Sequence, residues 1–592
     1  MAYARINNAP PRMMPNSTMG SVSVGMPSDV SSSHMRKRSR AGTFGSDETG
    51  SQFSSAGRFA GASVPVAAYS KAAEADDEMH DPRNADKHSS EIDLRGFLNV
   101  LTLVVIGGAL LVLFMGYPLL SHFLGKKDST KGGFNLGGTN GTGQVGITPA
   151  IRSIVDTDTP EAARKWKGYL GNYHIVFSDE FELPGRTFWP GDDPYWEAVD
   201  IWYGATGDYE WYSPEAVNTT DGALVITMEE KPTHNLNFRS GMLQSWNKFC
   251  YQGGYVEFSL QMPGTQRTSG YWPAAWTMAN LGRPGYLAST DVRRMWPYSY
   301  QACDTGMLPN QTYVNGSGPH LAIHSTGEYQ HPKGQLSTLP GMRTPSCTCP
   351  GEDHPGPDVT VGRSAPEIDV IEAQVQTRGG TKHVFASQSL QTAPFDDAYY
   401  WKNTSDVAEV AGENTRFNDY VGGPLQESVS ALSQCPDDGY TNAGQRYVTY
   451  GMEYSPDWKA DGGGSVTWYV DGERTWTVKG DAIGPNPDLD MGQRTVPTEP
   501  MTIVMNLGIS PQFQTVNLQT GKDDLIFPAQ MKVDYVRVYQ LDGQEDKVSC
   551  DPPDHPTKKY IEDHLNLYMN PNLTKYADAG YPAVKNKLLT GC

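Results

Sequence analysis

Three carboxylates alternate with apolar residues in one short segment, EIDVIE at residues 367–372. Side chains of a flat strand alternate between its two faces, so Glu367 and Asp369 share a face and Glu372 points to the other. One bulge residue between Asp369 and Glu372 would return Glu372 to the face of the other two, and bulges are common beside active sites. The spacing therefore predicts a bulged strand that presents three acids on one surface.

Such an arrangement is typical of retaining glycoside hydrolysis. Two carboxyls about 5–5.5 Å apart then serve as nucleophile and general acid/base. A third acid between them can hydrogen-bond the nucleophile and keep the pKa values of the pair apart. The alternative is a charged outer strand face that carries salt bridges or no function, and both interpretations fit the six residues taken alone.

Aromatic residues precede the acidic segment in the run GYWPAAW at 270–276. Sugars bind by stacking their C–H faces on aromatic rings, and tryptophan offers the largest platform. Trp272 and Trp276 are therefore candidates for the wall of a glycan cleft, although either could instead pack in the core. His383, after the acidic segment, could contact a sugar hydroxyl or have a structural role.

The elements that must position these residues are short. β-rich runs recur from about residue 150, separated by turn signals such as Asp221-Gly222 and Asp471-Gly472. This pattern predicts an all-β protein with an antiparallel sandwich over residues 150–545, followed by an extension at 546–592. Residues 282–363 are rich in proline, glycine and serine, which indicates a long insertion tethered by disulfides.

The cysteines could either bind a metal ion or form disulfides. The sequence CTC at 347–349 could bind a metal together with His354, but a four-ligand spacing is absent. We therefore expect disulfides, no metal site and no cofactor; a structural calcium and the identity of the unpaired cysteine are left open. The seven cysteines are Cys250, Cys303, Cys347, Cys349, Cys435, Cys550 and Cys592.

One strongly apolar segment covers residues 97–120, 24 residues without a charge. As a helix it is long enough to cross the ~30 Å hydrocarbon core of a membrane. It is too long for most core helices, and a cleavable signal peptide would start near residue 1. We predict a disordered tail over 1–96, one transmembrane helix over 97–120 and a flexible glycine-rich stalk over 121–149.

The basic residues on the two sides of the segment are balanced, so they do not indicate its orientation. We therefore infer the orientation from the cysteines and the glycosylation sequons. All cysteines follow the segment, which suits an oxidising, glycosylating compartment. We predict a single-pass type II membrane protein with a cytosolic N-terminus and a C-terminal domain in the secretory pathway (ER, Golgi or plasma membrane). A further sequon, at Asn16, lies in the predicted tail. The sequons after the segment are at Asn140, Asn218, Asn310, Asn315, Asn403 and Asn572.

The charge excludes one class of partner. The chain has 47 basic and 67 acidic side chains, a net charge of −20. Residues 1–96 carry equal numbers of each, so the excess lies beyond them. Such a chain is poorly suited to neutralise phosphates, which argues against nucleic acid as a partner and is compatible with a neutral polysaccharide.

The acidic segment, the aromatic run and several later motifs together resemble those of the family 16 glycoside hydrolases. These are the laminarinase-like β-glucanases with a concanavalin-like β-jelly-roll fold. The resemblance implies that Glu367 is the nucleophile, Glu372 the acid/base and Asp369 the assisting acid. It also places Trp272 and Asn506 loosely at cleft positions. The motifs that occur in the order of that family are IVFSDEF (175–181), GYWPAAW (270–276), EIDVIE (367–372), WYVDG (468–472), NLG (506–508) and DYVRVY (534–539).

A narrower resemblance is to the fungal type II membrane proteins associated with β-1,6-glucan synthesis. It rests on the predicted anchor and on the segments MWPY (295–298), Ala365-Pro366 and SQSLQTAPF (387–395). It implies a β-glucan hydrolase or transglycosylase in cell-wall assembly, with other wall-synthesis proteins as further partners. A catalytically silent glucan-binding scaffold and an adhesion or sorting receptor remain alternatives, and linkage and hydrolysis versus transfer stay open.

Overall fold

The computed structural model describes residues 94–116, 153–291, 295–298, 301–327, 334–341, 347–518 and 525–592. Nearly all of the predicted tail, the predicted stalk and the sequon at Asn140 lie outside the described residues. The last four residues of the predicted membrane segment, 117–120, also lie outside them.

The apolar segment is helical. Helix α1 runs Leu94–Leu111 and continues as a π-helical turn, Val112–Gly116. These 23 residues contain no buried side chain. At 1.5 Å per residue they extend about 35 Å, so length and composition suffice for a membrane span. The helix begins three residues before the predicted start at residue 97.

The remaining described chain is mostly β-sheet, with short helices between strands. The helices are α2 His320–Ile323, α3 Lys558–Asp563 and α4 Leu565–Met569. The strands, in chain order, are β1 Lys165–Lys167, β2 Asn172–Asp179, β3 Glu197–Ala198, β4 Ile201–Trp202, β5 Glu210–Tyr212, β6 Val217–Thr220, β7 Ala223–Met228, β8 Phe238–Ser240, β9 Met242–Gln244, β10 Gly254–Gln261, β11 Trp272–Ala279, β12 Glu367–Arg378, β13 Thr381–Thr392, β14 Ala408–Val410, β15 Thr415–Phe417, β16 Gly422–Gly423, β17 Gln426–Gln434, β18 Val448–Ser455, β19 Ser465–Val470, β20 Glu473–Lys479, β21 Met501–Gly508 and β22 Ala529–Leu541.

Two large antiparallel sheets form a jelly-roll sandwich. The ten-stranded sheet has the order β1-β2-β22-β10-β18-β19-β20-β14, with β7 also beside β22 and β6 beside β7. The nine-stranded sheet has the order β15-β17-β13-β12-β11-β21-β9-β3, with β16 beside β17. A third sheet, β4-β5-β8, is small and contains a parallel pair, β5 and β8. The predicted all-β class is confirmed.

The core lies between the two large sheets. Val256 and Phe258 of β10 meet Ile368 and Ile371 of β12 in one buried apolar cluster, each at most 1% exposed. Alternate residues of each strand face this cluster, and their burial provides the main driving force for packing the sheets together. The opposite face of the nine-stranded sheet is thereby left to carry polar side chains.

The segment between β11 and β12 contains the predicted insertion and packs against the C-terminal residues. Met295 belongs to an apolar cluster that also contains Tyr568 of α4 and Trp246. The Trp246 and Tyr568 rings are stacked, with centroids 5.4 Å apart. Insertion, extension and sandwich therefore share one packed region next to the nine-stranded sheet.

Three disulfides connect parts of this region. The sequence predicted disulfides here but not their pairing. They are Cys250–Cys550, Cys303–Cys347 and Cys349–Cys592. Cys347 and Cys349 thus belong to different disulfides, so the CTC sequence does not supply thiolate ligands. The unpaired cysteine is Cys435, which is buried.

Candidate active site

The predicted bulge is present in β12. Opposite β11, Trp276 pairs with Asp369 and Ala275 with Ile371, so Val370 has no partner. The register with β13 also shifts between Asp369 and Glu372. Because of this extra residue, Ile368 and Ile371 both face the core while the three carboxylates face a cleft.

The cleft has a volume of about 880 Å³ and lies on the outer face of the nine-stranded sheet. Its floor comes from β11, β12, β13 and β21. Its walls come from the loop between β4 and β5, from the insertion and from the loop after β21. Aromatic and charged residues that line these walls include Tyr203, Asp208, Arg283, Tyr286, Trp296 and Phe513.

Asp369 is the central and most buried acid, at 1% exposure. Its carboxylate accepts hydrogen bonds from Ser389 Oγ at 2.6 Å and Gln391 Nε2 at 3.0 Å. Burial raises the pKa of Asp369 to about 6, although these donors and Glu367 favour its ionised form. Its backbone carbonyl accepts from Trp468 Nε1 of the facing sheet at 2.8 Å, which fastens the bulge to the core.

Glu367, half-buried, lies at the insertion side of Asp369. Trp296 Nε1, from the insertion, donates to Glu367 Oε2 at 2.7 Å. Burial and the carboxylates of Asp369 and Glu372 raise the pKa of Glu367 well above its usual value, while the indole donor opposes that rise. Glu367 and Asp369 also share a hydrogen bond, so the two carboxyls titrate as a unit.

Glu372, also half-buried, flanks Asp369 on the other side. Trp272 Nε1 donates to Glu372 Oε1 at 3.1 Å. Burial, followed by the charge of Asp369, raises the pKa of Glu372 well above its usual value. The Trp272 ring is stacked on Phe513, with centroids 4.3 Å apart and planes 6° apart. Glu372 is therefore a carboxyl with a raised pKa beside an aromatic platform.

Trp276 and Asn506 lie deeper in the floor of the cleft. Trp276 is 7% exposed, and its Nε1 donates to Asn506 Oδ1 at 2.9 Å. Asn506 Nδ2 contacts the Tyr212 hydroxyl at 3.1 Å, and that hydroxyl donates to Asp208 at 3.2 Å. This polar chain holds the Trp276 ring in place, so part of its role is structural.

A second acidic pair adjoins that chain. Asp208 and Glu210 are both buried and share a hydrogen bond. Burial raises the pKa of Asp208 to about 7 and that of Glu210 well above its usual value. Asp208 lines the cleft. Because the two carboxyls share a hydrogen bond and both pKa values are raised, the pair titrates as a unit and does not carry two fixed negative charges.

The structure brings six of the seven predicted catalytic and substrate-binding residues to the cleft. His383 is the exception: its imidazole contacts Asp437 at 3.5 Å and Gln434 at 3.3 Å and does not line the cleft. Sequence reasoning did not assign Trp296, although its aromatic MWPY segment was a usable signal. No comparable signal marked Phe513, Asp208 or Glu210.

The predicted modification sites are mostly accessible. Asn310 is half-buried, and the asparagines of four described sequons are exposed. Among the described residues, no group of three or more His, Cys, Asp and Glu side chains is arranged to hold a metal ion. The four exposed asparagines are Asn218, Asn315, Asn403 and Asn572.

Comparison with known proteins gives one family. The family model described as "Beta-glucan synthesis-associated protein SKN1/KRE6/Sbg1" matches residues 66–592. The chain is 44% identical over 446 residues to the beta-glucan synthesis-associated protein KRE6 of Saccharomyces cerevisiae, covering 75% of this chain and 57% of that protein. It is 39% identical over 544 residues to SKN1 of the same yeast, covering 88% of this chain and 66% of the relative. The chain thus spans less than two thirds of the length of these relatives.

The solved structures that this chain resembles include two glucanases. An endo-β-1,3-glucanase from Pyrococcus furiosus is 17% identical with a TM-score of 0.35, covering 64% of this chain and 98% of that one. The laminarinase catalytic domain from Thermotoga maritima is 17% identical with a TM-score of 0.33, covering 62% and 98%.

Proposed function

The chain belongs to the family of β-glucan synthesis-associated proteins, and from that premise we propose that its sandwich is a retaining hydrolase or transglycosylase of β-glucan. The single observation that carries the proposal is the placement of Glu367 and Glu372 on one face of a bulged strand, on either side of Asp369. Each flanking acid also meets an indole N–H. Double displacement at a sugar carbon uses two carboxyls of this kind, one as nucleophile and one as general acid/base.

In the first step, protonated Glu372 donates its proton to the glycosidic oxygen. The Glu367 carboxylate attacks the anomeric carbon, the bond to the leaving sugar breaks, and a glycosyl ester forms on Glu367. In the second step, Glu372, now a carboxylate, takes a proton from water or from a sugar hydroxyl, which attacks the anomeric carbon and releases Glu367. Water gives hydrolysis, whereas a sugar hydroxyl gives transfer.

The electrostatics of the cleft support these roles. The raised pKa of Glu372 suits an acid that must hold a proton toward neutral pH. The hydrogen bond from Trp296 favours the ionised form of Glu367 that a nucleophile needs, and it opposes the rise in the pKa of Glu367 caused by burial and by Asp369 and Glu372. Asp369, held by Ser389 and Gln391, shares a hydrogen bond with Glu367 and thus orients it.

We propose further that α1 anchors the enzyme in a membrane of the fungal secretory pathway as a type II protein. Its length and apolar composition support the span. The three disulfides support an oxidising compartment for the sandwich. There the enzyme would act on wall β-glucan alongside other wall-synthesis proteins.

The test uses the full chain in detergent, with β-1,3- and β-1,6-glucan oligosaccharides and an aryl β-glucoside of such an oligosaccharide. Glu367→Gln should abolish product formation from every substrate. Glu372→Gln should lower turnover of the natural oligosaccharides by about 10²–10⁴-fold. It should spare the first step on an aryl substrate, whose leaving group needs no protonation.

Azide supplies the stereochemical control. In a Glu367→Gly variant, added azide should replace the nucleophile directly and give an α-glycosyl azide. In a Glu372→Gly variant it should attack the glycosyl ester and give the β-azide. Product profiles that are the same for wild type and Glu367→Gln would reject catalysis by this residue. Glucan binding by the wild type without any product would favour a glucan-binding scaffold.

A further inference from the structure

Two tryptophans of the small sheet face away from the cleft. Trp202 of β4 lies directly opposite Trp211 of β5 in an antiparallel pair, so both project from one face of the sheet. The neighbouring pair, Ile201 and Tyr212, projects from the other face, where Tyr212 lines the cleft. The same two strands therefore present aromatic rings both to the cleft and to the outside.

Trp202 and Tyr209 are exposed, Trp211 is half-buried, and both indoles are fixed. Trp202 is 48% exposed, and Tyr209, just before β5, is 38% exposed. Trp202 Nε1 donates to the Asp208 carbonyl at 2.9 Å, and Trp211 Nε1 donates to Asp200 Oδ1 at 2.7 Å. With both indole N–H groups satisfied, the ring planes are held and little rotamer freedom remains to be lost on binding.

Packing contacts also restrict the two indole rings. A Cβ on Gly204 would lie 3.3 Å from two atoms of the Trp202 ring, so only glycine lets that ring lie against the loop without a shift. The Trp211 ring packs on the imidazole of His234, with centroids 4.1 Å apart. Both indoles thus have one side against the protein, and Trp202 shows nearly half of its surface to solvent.

The position of these rings relates them to the cleft. Ala205, Thr206 and Asp208 of the loop between β4 and β5 line the cleft, and Trp202 lies against Gly204 of the same loop. A polymer that extends beyond the cleft would have to cross this loop to reach the outer rings. Flat aromatic rings with carboxylate and imidazole neighbours match the C–H faces and hydroxyls of a neutral sugar chain.

We propose that the outer aromatic face, formed by Trp202, Tyr209 and Trp211, is a second binding site for a β-linked glucan chain, holding the part of a long polymer that extends beyond the cleft. The identity of the ligand rests on the proposed function, but binding at this face does not require catalysis. The site should therefore distinguish polymers from oligosaccharides short enough to be contained in the cleft.

The experiment measures binding by the full chain in detergent, carrying Glu372→Gln so that turnover is suppressed. Cosedimentation with insoluble β-1,3/1,6-glucan reports polymer binding, and calorimetry with a laminari-oligosaccharide that fits the cleft reports cleft binding. Adding Trp202→Ala and Trp211→Ala should weaken polymer binding about tenfold, since two stacking contacts are lost. Oligosaccharide affinity should stay unchanged, the double variant should still unfold in one cooperative thermal transition, and Trp202→Tyr should retain part of the polymer binding.

Trp458→Ala provides the matched control, because Trp458 is 42% exposed but packs beside Lys547 instead. It should leave polymer binding unchanged. Unchanged polymer binding in the double variant would overturn the proposal, as would equal loss of polymer and oligosaccharide binding. Loss of self-association in place of polymer binding would assign the face to a second copy of the chain and also overturn it. Failure of the parent protein to bind either glucan would instead contradict the proposed function itself.

Discussion

The two flanking acids of the cleft differ in the indole that each one meets. Trp296 Nε1 donates to Glu367 Oε2 at 2.7 Å, whereas Trp272 Nε1 donates to Glu372 Oε1 at 3.1 Å. Hydrogen bonds to an ionised acceptor are shorter and stronger than neutral ones. The shorter contact thus gives the carboxylate form of Glu367 the stronger indole hydrogen bond, which is the form that the proposed mechanism requires of the nucleophile.

The different roles of Glu367 and Glu372 predict that loss of the two indole donors changes the width of the pH profile in opposite directions. Removing an N–H donor raises the pKa of the carboxyl it contacts. Trp296→Phe should then move the acidic limb of kcat/KM to higher pH, because the nucleophile must be ionised. Trp272→Phe should move the alkaline limb to higher pH, because the acid must be protonated. A hydrogen bond to a charged group is worth about 1.5–3 kcal/mol, so each shift should be about one pH unit or more.

Trp211→Phe is the control for these variants, because Trp211 lies outside the cleft lining and contacts no acid of the triad. It should move neither limb. A shift of the same limb by Trp296→Phe and Trp272→Phe would contradict the assignment of separate roles to Glu367 and Glu372.

At the scale of elements, β12 joins the site to the elements around it. Its bulge sets the acids on the cleft side, and the insertion that precedes it brings Trp296 to Glu367. At the end of the insertion, Arg363 donates Nε and Nη2 to the two oxygens of Glu499, each at 2.8 Å. Arg363 Nη1 also donates to the carbonyls of Gly356 and Pro556, which links the insertion to the C-terminal extension.

We expect this ion pair to be a main attachment of the insertion. Both side chains are buried, so Arg363→Ala leaves Glu499 charged and without its guanidinium, at a cost of about 3–5 kcal/mol. Replacing both residues, as Arg363→Met with Glu499→Leu, should recover much of that loss because no buried charge remains. Urea denaturation followed by tryptophan fluorescence measures the effect. Lys559→Ala, which breaks the exposed ion pair with Asp563, should leave the midpoint of urea denaturation unchanged. An equal effect of the two alanine variants would contradict the importance of the Arg363–Glu499 ion pair.

Much of the β12 site could be predicted because its information is local. The spacing of three acids implies a bulge, and the alternation of apolar residues identifies the buried face. The sheet β4-β5-β8 was not predicted, since strands of two or three residues are too short to show periodicity. Trp296 was not assigned for a related reason: it is 71 residues from Glu367, and no periodic pattern spans an insertion.

At the scale of the whole molecule, the disulfides connect distant parts of the described chain. Cys250–Cys550 and Cys349–Cys592 join residues 300 and 243 positions apart. Such cross-links restrict the unfolded chain most when the loop they close is long, and they persist in oxidising compartments. The prediction that the C-terminal domain lies in such a compartment can therefore be tested by its modification.

Glycosylation reports the orientation of the full chain in a fungal cell. If the sandwich lies in the secretory lumen, enzymatic removal of N-glycans should increase its mobility on a denaturing gel. Asn→Gln at each exposed sequon should remove one step of that shift, because a glycan needs an accessible asparagine. Asn310, which is half-buried, should contribute less. The exposed asparagines are Asn218, Asn315, Asn403 and Asn572.

Asn16 distinguishes the two orientations because it precedes α1, whereas the described sequons follow it. In the type II orientation Asn16→Gln changes nothing, and combining substitutions at the four exposed sites removes most of the shift. If instead only Asn16→Gln altered mobility, α1 would be inserted with the sandwich on the cytosolic side. Its disulfides would then lie in a reducing compartment, where such bonds rarely persist.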